Sequence, residues 1–80
     1  MINLGKQSKM EPAEIVKQAT RFFGPRGLGL EVFDADQHNA RFQGGGGFVA
    51  VEASPSANGS DVKVLSQEWE QQAQQFLEKI

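Results

Sequence analysis

The polar and apolar positions of the chain change period twice. Over Met1–Lys9 only Ile2 and Leu4 alternate with polar neighbours, which leaves residues 1–10 as a short strand or a loosely ordered lead. From Glu11 the period is helical. Ile15, Val16, Ala19, Phe22 and Phe23 form one stripe, and Glu14, Lys17, Gln18 and Arg21 fill the other side. Pro12 suits the first helical position, where a missing N–H costs nothing. Gly24-Pro25 ends the run, glycine as a left-handed cap and proline as a residue that cannot continue it. A helix over 12–23 is predicted.

The period then shortens to two. Leu28, Leu30 and Val32 alternate with Gly29, Glu31 and Phe33, predicting a strand over 28–34 that ends in the turn chemistry of Asp34–His38. Ala40 and Phe42 predict a second strand over 40–43, Gly44–Gly47 a hairpin loop, and Phe48–Ala53 a third strand. Ser54–Ser60, with Pro55, Asn58 and Gly59, reads as a longer loop before a fourth strand over 61–65. Helical spacing returns with Trp69, Ala73, Phe76, Leu77 and Ile80, predicting a helix over 67–79. Ser66 or Gln67 would cap it, and Glu68 and Glu70 would sit at the positive end of its dipole.

Pairing the apolar positions gives a register for each hairpin. Gln43 opposite Phe48 sets Phe42 against Val49 and Ala40 against Val51. Val51 against Val64 and Ala53 against Val62 set Glu52 opposite Lys63. In the first hairpin, Val32 against Ala40 and Leu30 against Phe42 would set Glu31 opposite Arg41. One sheet face then carries Leu28, Leu30, Val32, Ala40, Phe42, Val49, Val51, Ala53, Val62 and Val64, and both helices must cover it, with Trp69 packing on Phe22 or Phe23. The predicted fold is a single α+β domain over 1–80: two layers, helix, four-stranded antiparallel meander, helix, with room for a short N-terminal strand.

Composition narrows the function. Leu, Ile, Val and Phe make up 20 of 80 residues, enough for a core. Without cysteine there is no disulfide framework, thiolate metal site or cysteine nucleophile. A net charge of −2 argues against a nucleic-acid surface, and no apolar run is long enough for a membrane span, so a cytoplasmic protein is expected.

Candidate chemistry is sparse. The four glycines at 44–47 invite a phosphate cradle, but such a loop should open into a helix, and a strand follows here. Asp34, Asp36 and His38 alternate in a turn without the further oxygen ligands or distal Glu of a calcium loop, so a solvated turn is the expectation. The one histidine lies in that turn and tyrosine is absent, so no acid–base pair or triad assembles from the pattern. No enzyme activity, metal or cofactor is expected.

The element order is similar to one repeat of TATA-binding protein, and it also resembles a reduced helix-grip, START-like domain. The segments ArgPheGlnGlyGlyGlyGlyPheValAlaVal (41–51) and GluTrpGluGlnGlnAlaGlnGlnPheLeu (68–77) look like parts of small uncharacterised bacterial proteins of that shape. The resemblance is topological, covers most of 11–80 and implies no catalytic residue. A helix-grip likeness implies an apolar ligand between the last helix and the sheet, lined by Phe22, Phe23, Phe42, Trp69 and Phe76. A likeness to TATA-binding protein implies DNA on the outer face, which the two cations there, Arg41 and Lys63, each facing an acid in the predicted register, argue against.

The expected function is therefore a small interaction or structural module. Its surface would be the uncovered sheet face, where Phe48, Ala50 and Leu65 meet at one corner, Phe33 lies at the far end, and Glu31 and Arg41 stand at the rim. A second copy of the chain or another protein would dock there, unless Ile2 and Leu4 fold over the corner. The alternative is a small-molecule binder using the aromatic pocket.

Overall fold

A computed structural model describes residues 1–80. Five strands and two helices follow in the order β1 (Ile2–Ser8), α1 (Pro12–Phe23), β2 (Glu31–Ala35), β3 (Asn39–Gly44), β4 (Gly47–Ser56), β5 (Gly59–Gln67) and α2 (Glu70–Lys79). They form one antiparallel sheet of order β1-β5-β4-β3-β2, with both helices on the same face. The fold is α+β, as the pattern predicts, and the leading residues are a full strand paired along β5 from Ile2–Ser66 to Ser8–Ser60.

α1 begins with Pro12 at its first position and buries Ile15, Val16, Ala19 and Phe23. Its end differs from the expectation. Gly24 has an extended backbone (φ −69°, ψ −172°), not a left-handed one, and a side chain there would strike the Thr20 carbonyl. Glycine is required for that close approach.

The core lies between the helices and the covered face. Phe23, Leu30, Phe42, Val49, Val51, Val62, Val64 and Phe76 are each at most 1% exposed. The Phe23 ring lies between two others, with centroids 5.5 Å from Phe42 and 5.4 Å from Phe76, and Phe22 closes on Phe76 at 5.9 Å. These rings join α1 to α2 on one side and to β3 on the other.

β1 completes this layer in a way that alternation conceals. Leu4 packs against the core, but its neighbours on the same face, Lys6 and Ser8, are polar. Lys6 Nζ donates to the Leu77 carbonyl at 2.6 Å and Ser8 Oγ to the Ile80 carbonyl at 2.8 Å. Both bond the C-terminal end of α2, where the Leu77 carbonyl also accepts the Ile80 N–H, and the ammonium sits at the negative end of the helix dipole.

The hairpins correct several expected boundaries. β4 and β5 run on through the presumed loop to a tight turn at Ala57-Asn58, with Ser56 opposite Gly59. Pro55 is tolerated inside β4 because β3 pairs only as far as Glu52, leaving no ladder partner on that side for the missing N–H. Val51–Val64, Ala53–Val62 and Glu52–Lys63 pair as predicted, as do Phe42–Val49 and Ala40–Val51.

The first hairpin does not follow its predicted register. Val32 pairs with Phe42 and Glu31 with Gln43, so the expected Glu31–Arg41 pair does not form; Asp34 stands opposite Arg41 instead. Two causes add: β2 runs on to Ala35 and shortens the turn, which shifts Glu31 and Val32 by two places, and a bulge between Val32 and Asp34 shifts Asp34 and Ala35 by one more. Leu28 falls in the turn that precedes β2 and is 40% exposed, while Val32, on the outermost strand, is 37% exposed.

The turn from β2 to β3 is held by one carboxylate. Asp36 Oδ1 accepts the backbone N–H groups of His38 and Asn39, each at 2.8 Å. These bonds favour the ionised form and lower the Asp36 pKa below the usual aspartate value. A depressed folded-state pKa means that the stabilisation is present above the unfolded-state value and fades as pH falls through the folded one. A carboxyl-detected NMR titration should place Asp36 below an unstructured aspartate; a value at or above it would show that the turn does not persist in solution.

Candidate interaction face

The face opposite the helices is uncovered, and its residues form rows across the strands. Glu31, Gln43, Phe48 and Gln67 make the first row, on β2, β3, β4 and β5 in turn. The second runs from Phe33 and Asp34 through Arg41, Ala50 and Leu65 to Asn3 on β1. Asn39, Glu52, Lys63 and Gly5 make the third.

The six residues expected at an interface all lie in the first two rows. The two-place slide of β2 against β3 moves Phe33 from the predicted far end to the level of Arg41, in the same hollow as Phe48, Ala50 and Leu65. That hollow, about 270 Å³, is bordered by Arg41 and Gln43. Ala50, with its single methyl, forms a low floor between larger neighbours. Phe33 is 68% exposed, and Phe48, Ala50 and Leu65 are half-buried. A polar hollow lined by Glu31, Gln43, Gly46, Gly47 and Gln67 adjoins it across Phe48.

The chain does not fold its own N-terminus over this patch. Ile2 and Leu4 pair with Ser66 and Val64, whose side chains belong to the covered face, so β1 turns Asn3, Gly5 and Gln7 to the open side.

The glycine loop has a structural explanation. Strand pairing continues to Gly44–Gly47, leaving a two-residue turn in which Gly45 (φ 59°) and Gly46 (φ 81°) both lie in the left-handed region, as the tightest hairpins require. The turn lies against the junction of β5 and α2. Trp69 Nε1 donates to the Gly44 carbonyl at 2.8 Å, and a Cβ on Gly45 would come within 2.9 Å of the indole ring. The expected contact of Trp69 with Phe22 or Phe23 is therefore replaced by the hairpin tip. Gly45→Asn, which the backbone allows, would push on that ring.

Trp69 also takes the capping position of α2 without a side-chain cap. Ser66, expected as a cap, lies inside β5, fully buried with its hydroxyl unpartnered, and Gln67 is the last residue of that strand. Glu68 bridges strand and helix at φ 72°, a backbone setting uncommon for a residue with a side chain.

The remaining polar chemistry is dispersed. No three His, Asp or Glu side chains gather as a metal would need; Asp34 opposes Arg41, and Asp36 is engaged by its own turn. No helix is long and apolar enough to cross a membrane. No family model, curated protein or solved structure matches the chain.

Proposed function

We propose that this protein is a non-catalytic interaction module whose working surface is the open sheet face. The observation that carries this reading is the hollow formed by Phe33, Phe48, Ala50 and Leu65, which no element of the chain covers. A cluster of apolar side chains on one exposed sheet is more than scattered surface hydrophobicity, and such clusters mark contact sites. The order strand, helix, four strands, helix supports kinship in shape with the TATA-binding-protein and helix-grip folds. An apolar ligand under α2 is the less favoured reading, because Phe23, Phe42 and Phe76 are each buried and Phe76 packs on Phe22 and Phe23, not around a cavity.

A photo-crosslinking residue placed at Phe48, with a control at exposed Lys17 on α1, tests the reading in cells that make the protein. Adducts to protein from position 48 and not from position 17 are expected. Equal or absent labelling from the two positions would overturn it.

A further inference from the structure

Resting on that reading and naming its partner, we propose that the open face closes on a second copy of the chain, sheet against sheet. The two-fold axis would run along the strands between β3 and β4. Rotation about it lays β3 over the second copy's β4 and β2 over its β5.

The rows then meet in a complementary way. In the second row Phe33 and Asp34 lie over the second copy's Leu65, the ring on the apolar side chain and the carboxylate toward the edge, and Arg41 lies over the floor at Ala50. Asp36 N–H donates to the Asn39 carbonyl, which puts Asp36 at the β2 end of the third row. Lys63 therefore faces the second copy's Asp36, and Glu52 faces Asn39. In the first row Glu31 meets Gln67 and Gln43 meets Phe48. No like charges oppose one another.

Neighbouring axes do less well. An axis along β4 sets Glu52 on Glu52, a like-charge contact. One between β4 and β5 leaves Phe33, 68% exposed, outside the contact. With about 4.8 Å between strands and aligned sheet packing, the footprint is on the order of 500 Å² per copy. That approaches the total of about 1,000 Å² for a specific interface, so a weak, micromolar-range dimer is the expectation.

Sedimentation of the full chain up to millimolar concentration, with isotope-filtered NMR on mixed labelled and unlabelled protein, tests this. Phe33 and Leu65 sit on strands three spacings apart, roughly 14 Å within one copy. Filtered contacts from the Phe33 ring to the Leu65 methyls report only the second copy. Those contacts are expected, and Phe33→Ser should raise the dimer dissociation constant at least about tenfold, a change of about 1.4 kcal/mol, while leaving the fold intact. A monomer at millimolar concentration, or a dimer with contacts on another face or about another axis, would overturn the inference. If Phe48 crosslinks to a different protein while the isolated chain stays monomeric, the second-copy inference fails and the interaction reading stands.

Discussion

Phe76→Ala should destabilise the protein by about 3–5 kcal/mol, the range for deleting a fully buried aromatic ring. Phe76 is 1% exposed and its ring touches those of Phe22 and Phe23. It is the one aromatic residue inside α2, whose buried set is otherwise only Ala73 and Leu77. Deleting it leaves a void against Phe23 and removes most of what docks the helix. A domain of this size has a total stability of only about 4–12 kcal/mol, so the variant should be close to unfolding at room temperature. The melting temperature should fall by on the order of 20 °C. Thermal and urea unfolding followed by circular dichroism measure it directly. A loss below about 1 kcal/mol would mean that α2 does not pack on the sheet as described.

Gly47→Ala should be the most damaging change in the glycine loop, costing about 3 kcal/mol, at the upper end for overpacking. A methyl group there would overlap the Gln67 carbonyl and come within 2.6 Å of Glu68 Cβ. Both belong to backbone that cannot yield easily, since Glu68 already holds a left-handed conformation between β5 and α2. The neighbouring Gly46→Ala is the control. Nothing lies within 4 Å of a Cβ at Gly46, so only its positive φ resists substitution, at about 1–2 kcal/mol. Parallel urea denaturation of the two variants separates close approach from backbone preference. Equal losses would show that the hairpin tip does not press on the β5–α2 junction.

These two residues mark the boundary between what was legible in the chain and what was not. Phe76 could be placed in the core by spacing alone, because Trp69, Ala73, Phe76 and Leu77 repeat at the helical period and only one side of a surface helix can be buried. The four glycines announced a hairpin. They did not announce that Trp69 would lie across its tip, since that contact joins residues 25 apart in sequence.

The candidate face was legible to the same degree. Phe48, Ala50 and Leu65 belong to strands whose alternation is unbroken, so their side of the sheet follows from that of Val49, Val51 and Val64. Phe33 could be placed on the face but not in the hollow. Its position depends on how far β2 slides along β3, two places from the expected register, because the strand runs on to Ala35 and tightens a turn whose length the pattern does not set.

The sequence by itself determined the α+β class, both helices, the registers of β3, β4 and β5, and, Leu28 and Val32 apart, the apolar face that the helices bury. Each of these follows from local period and from the requirement that apolar positions share one side. Tertiary structure alone decided the pairing of β1 with β5, the bulge at Phe33, the seat of Trp69 and the bonds of Lys6 and Ser8 to the end of α2. The pattern assigns Lys6 and Ser8 no partner, since the helix end they bond lies 71 and 72 residues away. Periodicity reports which residues avoid water. It carries no information on which polar group will find its partner across the fold, because that bond exists only once the layers have met.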